Sequence, residues 1–89
     1  MSGTETLVGV IPKSRREEIQ VHLDTWRGHR LCNVRVFLLE FDGVELDEPR
    51  ATKKGVVLKP DKLPELIRAL AKVCELEGVA LDLGSEAAA

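Results

Sequence analysis

The sequence is short of the devices that small domains use to supplement a thin core. It has two cysteines, Cys32 and Cys74, too few for a disulfide framework, and neither they nor His22 and His29 show the close spacing of a metal site. No apolar run reaches membrane-spanning length, and the polar start from Met1 to Thr6 lacks the cationic and apolar segments of a signal peptide. A cytoplasmic protein without membrane association is expected, with both thiols reduced and buried. No internal repeat or low-complexity linker divides the chain. An excess of basic residues, the usual advertisement of a nucleic-acid binder, is missing as well: 13 Lys/Arg stand against 15 Asp/Glu, a net charge of -2.

What remains is one domain of 89 residues. A domain this small buries only about 60% of the surface its unfolded chain exposes. Without disulfides or metal, a second subunit is the natural source of further buried area, so a homodimer is expected. The charges are also unevenly spread. Residues 1–59 carry ten Lys/Arg against nine Asp/Glu, whereas residues 60–89 carry three against six. That asymmetry permits a basic surface on the first part.

Several short segments bounded by turn signals precede one segment of helical period, a pattern of α+β class with a helix lying on a sheet. Thr6 to Ile11 reads as a strand ended by Pro12, which has no N–H for a ladder. After a basic connection over Lys13 to Arg16, Glu18 to Trp26 alternates. Ile19, Val21 and Leu23 share one face, and Gln20, His22, Asp24 and Trp26 the other. An indole among polar neighbours is either covered by a partner or is a contact surface. Arg27-Gly28 supplies a turn. Arg30 to Phe41 has apolar residues on both parities and reads as a strand covered on both faces, with Asn33 and Arg35 as polar exceptions.

Asp42-Gly43 is a further turn signal, followed by an acidic, proline-containing connection through Arg50. A fourth strand is expected over Thr52 to Leu58. Pro60 to Glu77 places Leu63, Leu66, Ile67, Leu70, Val73 and Cys74 at helical spacing, with Pro60 suited to its start and Gly78 to its end. The implied boundaries are a flexible segment 1–5, a domain 6–78 and a tail 79–89, partly disordered, in which Val79, Leu81 and Leu83 add a short extended piece.

The order of these segments resembles the positive cofactor four family of transcriptional coactivators over roughly Leu7 to Leu76. The residues that carry the resemblance are Trp26-Arg27-Gly28, Asn33-Val34-Arg35, Lys53-Lys54-Gly55-Val56 and Leu58-Lys59-Pro60. The approach Ser14 to Ile19 is similar to that of bacterial members. The resemblance implies a four-stranded twisted antiparallel sheet followed by a C-terminal helix. It implies a homodimer built through helix and sheet, single-stranded DNA along a groove, and neither catalysis nor a cofactor. Trp26 then takes the place of a base-stacking aromatic, Arg27 of a phosphate contact and Arg35 of the third-strand arginine. Lys53 and Lys54 take the place of a basic pair before a turn glycine. His29 stands where a lysine is common, and a neutral imidazole weakens that contact. Arg30 and Lys13 complete the candidate set. Two departures bear on affinity: Leu38 falls where the human-type domain has tryptophan, and the connection from Asp42 to Thr52 is longer and more acidic than the family's turn.

Each residue also has a plainer reading. Trp26 fits a core or dimer interface, Lys53-Lys54 a charged edge strand, and Arg35 a salt bridge to Glu40 or Asp24. Lys13, Arg15 and Arg16, followed at once by Glu17 and Glu18, fit a solvated loop. The apolar helix face suits a core or a dimer seam. For catalysis the conceivable set is Cys32 or Cys74 with His22 or His29, and the pattern places a core thiol and a surface imidazole instead. The functional expectation is a transcription coactivator or regulator that binds single-stranded DNA in the cytoplasm, nucleoid-associated in a bacterium. RNA fits the same contacts. The alternative is a dimeric module that docks on RNA polymerase or transcription factors without touching nucleic acid.

Overall fold

Alternation of side chains and two tight turns dictate the architecture. The computed structural model describes residues 5–81. Strands β1 (Glu5–Pro12), β2 (Glu17–Trp26), β3 (His29–Phe41) and β4 (Val44–Leu58) form an antiparallel sheet in the order β1-β2-β3-β4. A single 3-10 turn, Pro60–Lys62, leads into α1 (Leu63–Glu77). The expectations for residues 1–4 and 82–89 lie outside the described residues, and residues 79–81 form no regular element.

The β2–β3 ladder runs unbroken from Glu17 opposite Leu38 to Trp26 opposite His29. Residues directly opposite share a face, so this register sorts the side chains. Ile19, Val21 and Leu23 meet Val36, Val34 and Cys32 on one face, while Gln20 and His22 meet Arg35 and Asn33 on the other. The β2–β3 and β3–β4 hairpins each close on two residues of positive φ, Arg27 (52°) with Gly28 (79°) and Asp42 (57°) with Gly43 (80°), the turn chemistry that matches strand twist.

Two expectations change. The segment from Asp42 to Thr52 is not a long connection: pairing resumes immediately after Gly43, with Val44 opposite Phe41 and Glu45 opposite Glu40. A two-residue turn leaves no slack, and an edge strand tolerates Pro49 and solvated acids that an interior strand would reject. The helix, in turn, does not lie on the sheet of its own chain. Among the described residues α1 packs chiefly against its own 3-10 turn, which touches β3. Lys59 alone separates β4 from that turn.

The apolar face and the helix are therefore uncovered within one chain. Among the described residues the only buried apolar one is Cys32, at 6% exposure, while Ile11, Val56, Ile67, Leu70, Val73 and Leu76 stand exposed. Nor is β3 covered on both faces, as its apolar composition suggests; its side chains from Leu31 to Glu40 are half-buried, Cys32 apart. α1 starts with Pro64 in its first turn and stops at Gly78, whose φ of 70° lets its N–H reach the carbonyls of Cys74 and Glu75.

Gly55 is not the turn glycine that the family pattern implies. It lies inside β4 opposite Arg35, where a Cβ would sit 2.4 Å from the Val34 carbonyl oxygen and 2.8 Å from the Arg35 Cα. Both are backbone atoms, so only displacement of the strand could relieve the clash. Gly55→Ala is expected to destabilise the fold by about 1–3 kcal/mol in urea unfolding. Gly9→Ala, with open space around its Cβ, is expected to be close to neutral.

Candidate nucleic-acid interface

Two groups of candidate residues lie along the sheet, one at the Trp26 end of the β2–β3 ladder and one beside Arg35, opposite Gln20. At the first end Trp26 closes β2 opposite His29. Its indole is 47% exposed, and the Arg27 guanidinium lies over the ring, 4.6 Å from its centroid. Arg27 occupies the left-handed region, which costs an L-residue about 1–2 kcal/mol. A ring with one cation already on it and an open surface can stack on a base while the cation meets a phosphate.

The second group gathers at an irregularity of β4. Phe37 faces Ala51 and Arg35 faces Gly55, so Thr52, Lys53 and Lys54 bulge outward from the ladder. Three bonds hold the bulge: Thr52 Oγ1 donates to the Val36 carbonyl (2.8 Å), the Lys54 N–H donates to Thr52 Oγ1 (3.1 Å), and Arg35 Nη1 donates to the Thr52 carbonyl (3.0 Å). Arg35 also donates from Nε to Asn33 Oδ1 at 3.2 Å. Its partners are thus neutral, not Glu40 or Asp24, and it ties down the segment that presents both lysines, which are exposed. Six residues separate the two groups along β2, about 20 Å at strand rise. That distance equals roughly six stacked nucleotides at about 3.4 Å each.

The remaining candidates fall elsewhere. Arg30 sits opposite Thr25 on the other face and donates to its hydroxyl at 2.9 Å. Lys13 is paired with Glu17 at 3.0 Å. Arg16 turns toward Glu40, with Nε 3.8 Å from Oε2, at the base of an acidic arm that includes Asp42, Glu45, Asp47 and Glu48 on the β3–β4 hairpin. Among the described residues no three His, Cys, Asp or Glu side chains gather as a metal-holding group, and no helix is long and apolar enough to cross a membrane.

Between the two groups lies a polar row that the sequence pattern did not single out. His22 is no surface imidazole: its side chain is 13% exposed and its ring stacks on Phe37, centroids 5.8 Å apart and planes 26° from parallel. Gln20, at 8% exposure, donates to Glu18 Oε2 and meets His22 Nε2 through its own carbonyl oxygen, both at 2.7 Å. Because the Gln20 amide nitrogen is committed to Glu18, His22 Nε2 carries the proton in that contact. Its Nδ1 lies 3.4 Å from Glu5 Oε2. The available signal was parity: His22 and Phe37 fall on the face of Trp26 and Arg35 once β2 is set against β3.

A family model described as Transcriptional Coactivator p15 (PC4) matches residues 13–69. Among solved structures, the chain is similar to a PC4 homolog from Burkholderia pseudomallei in two crystal forms. The tetragonal form gives a TM-score of 0.66 at 23% identity over 79% of this chain and 97% of that one, and the orthorhombic form 0.66 at 25% over 81% and 89%. It is also similar to the bacteriophage T5 homolog of the eukaryotic coactivator, a protein implicated in recombination-dependent DNA replication, with a TM-score of 0.64 at 17% identity over 85% and 83%. No curated protein sequence matches.

The Glu17 carboxyl is held below its ordinary value of 4.5, first by the hydrogen bond from Lys13, against an opposing effect of desolvation, with lesser help from the charges of Lys13 and Lys54. A depressed carboxyl favours the fold above its unfolded pKa, and that contribution fades as pH falls through the folded value. NMR titration is expected to show Glu17 ionising below 4.5 and moving up in Lys13→Gln, with a smaller upward move in Lys54→Gln.

Proposed function

The chain belongs to the transcriptional coactivator p15 (PC4) family, and from that premise we propose that it is a non-catalytic homodimer that binds single-stranded DNA without reading a fixed sequence. The observation that carries this reading is the half-exposed indole of Trp26 under the Arg27 guanidinium, on the face that also holds Arg35, which ties down the bulge bearing Lys53 and Lys54. Unpaired DNA offers base faces and a line of phosphates, and such a face answers both. The net charge of -2 is no obstacle to this, because most acids lie in the β3–β4 arm and the C-terminal third, although Glu5, Glu18 and Asp24 stand on the polar face itself. In the cell the protein would act on unwound DNA in transcription, in the cytoplasm and at the nucleoid if bacterial.

The dimer is supported by what one chain leaves bare. Ile67, Leu70, Ala71, Cys74 and Leu81 line an apolar groove of about 200 Å³, and the sheet face opposite Trp26 is equally uncovered. Covering both with a second copy would supply the core that the single chain lacks. A second reading, docking on polymerase or transcription factors by the sheet alone, draws on the exposed Phe41 and Val44 at the tip of the acidic arm. RNA binding uses the same stacking and phosphate contacts.

Fluorescence anisotropy with labelled oligonucleotides tests the reading, and the single tryptophan serves as an intrinsic reporter. Single strands are expected to quench Trp26 and to bind more weakly as salt rises. Trp26→Ala should weaken binding by about 1–3 kcal/mol. Replacing Lys53 and Lys54 by alanine should flatten the salt slope by about 1.4, at about 0.7 per phosphate. Absence of salt-dependent binding to DNA or RNA, with capture of polymerase by the arm, would select the docking reading. Sedimentation should give a dimer that Leu70→Glu dissociates or unfolds.

A further inference from the structure

The polar row on the sheet encloses a shallow cavity of about 330 Å³, lined by Glu5, His22, Asn33, Arg35, Phe37 and Ala51. Its volume is at the low end of the range for small-molecule sites, about 300–1,000 Å³. It lies between the Trp26 turn and the lysine bulge, on the path that a strand joining them would follow. We propose that this cavity is a subsite for one unpaired base and that it prefers guanine, an inference that rests on the single-strand reading above.

Two features make it a base site. The stacked pair of Phe37 and His22 supplies an aromatic wall, held in place by the hydrogen bond between His22 and Gln20. Leu38 leaves the interface without the aromatic that the family resemblance implies at that position, and Phe37, one residue earlier, presents its ring on the same face as Trp26. A strand leaving the indole therefore meets a second platform within the same sheet.

The polar rim is asymmetric, and that asymmetry selects the base. On the β3 side Arg35 commits Nε to Asn33 and Nη1 to Thr52, leaving Nη2 and the Asn33 amide nitrogen as donors without partners among the described residues. On the β1 side stands the Glu5 carboxylate, which only accepts while ionised. Two strand spacings, about 10 Å of backbone, separate the rims. Glu5 is offset along the strands by two residues from Asn33 and four from Arg35, about 7 and 13 Å, and the side chains reach inward across that span to line the cavity. Guanine alone of the four bases shows two neighbouring acceptors, N7 and O6, on one edge and two neighbouring donors, N1–H and N2–H, on the next. Arg35 Nη2 together with the Asn33 amide nitrogen matches the first pair and a carboxylate the second. Adenine and cytosine turn a ring acceptor toward the carboxylate beside their amino donor, and thymine has one ring donor between two carbonyl acceptors.

The test compares the protein's affinity for a labelled oligothymidine with that for the same strand carrying one central guanine, adenine or cytosine. The guanine strand is expected to bind about tenfold tighter than the others. Glu5→Gln and, separately, Asn33→Ala should abolish that preference in protein whose thermal unfolding shows it folded. Equal affinity for the four strands, or a guanine preference that survives Glu5→Gln, overturns the subsite while leaving single-strand binding intact. Failure to bind oligothymidine at all removes the single-strand reading and this inference with it.

Discussion

The register between β2 and β3 is the constraint on which everything else depends. A ladder unbroken from Glu17–Leu38 to Trp26–His29 gives the sheet one apolar face and one polar face, because side chains alternate with period two. A slip by one residue would exchange the faces and send Arg35 among valines. The register is pinned at one end by the Arg27-Gly28 turn and favoured along its length by Ile19, Val21 and Leu23 meeting Val36, Val34 and Cys32. The same pairing aligns Trp26, His22, Asn33 and Arg35 on the opposite face, so core and interface are two sides of one choice.

β4 adds two lysines beside Arg35. Gly55 lets the backbone approach Val34 and Arg35 more closely than any Cβ would allow, and the residues just before it are forced out as a bulge. Bulges re-aim side chains near functional sites; this one brings out two lysines, and Arg35 anchors it through the Thr52 carbonyl. The arginine therefore positions other cations as well as offering its own free nitrogen. Beyond the bulge the hairpin becomes acidic, and Glu40 directly faces Glu45, a repulsive pair across a ladder. Arg16, close to Glu40, partly offsets it. Charge is thus separated along the sheet, cationic near the bulge and anionic at the arm.

Several readings were open in the residues alone. The strands announced themselves by alternation, the β2–β3 and β3–β4 hairpins by an X-Gly turn, and the helix by apolar spacing between Pro60 and Gly78. The acidic stretch before Thr52 misled because glutamate, aspartate and proline disfavour strands in general. On an edge, where one side of the strand faces water, they do not. His22 misled for the opposite reason: a polar residue on a polar face reads as solvated, yet Phe37 of the neighbouring strand covers it. Lys13 and Arg30 share the sign of the interface cations without sharing their place, since Lys13 has a carboxylate four residues away and Arg30 falls on the wrong parity.

The sequence by itself determined the kinds of element, their order, the two faces of β2 and the presence of an indole beside a cation, because these depend on local propensity and on a period counted within one segment. Only the tertiary structure decided which cations gather, that Arg35 holds the lysine bulge, that Phe37 and His22 form a wall, and that the helix leaves its own sheet uncovered. Those outcomes depend on which residue of one strand stands opposite which residue of the next, a relation between distant segments that no single segment encodes.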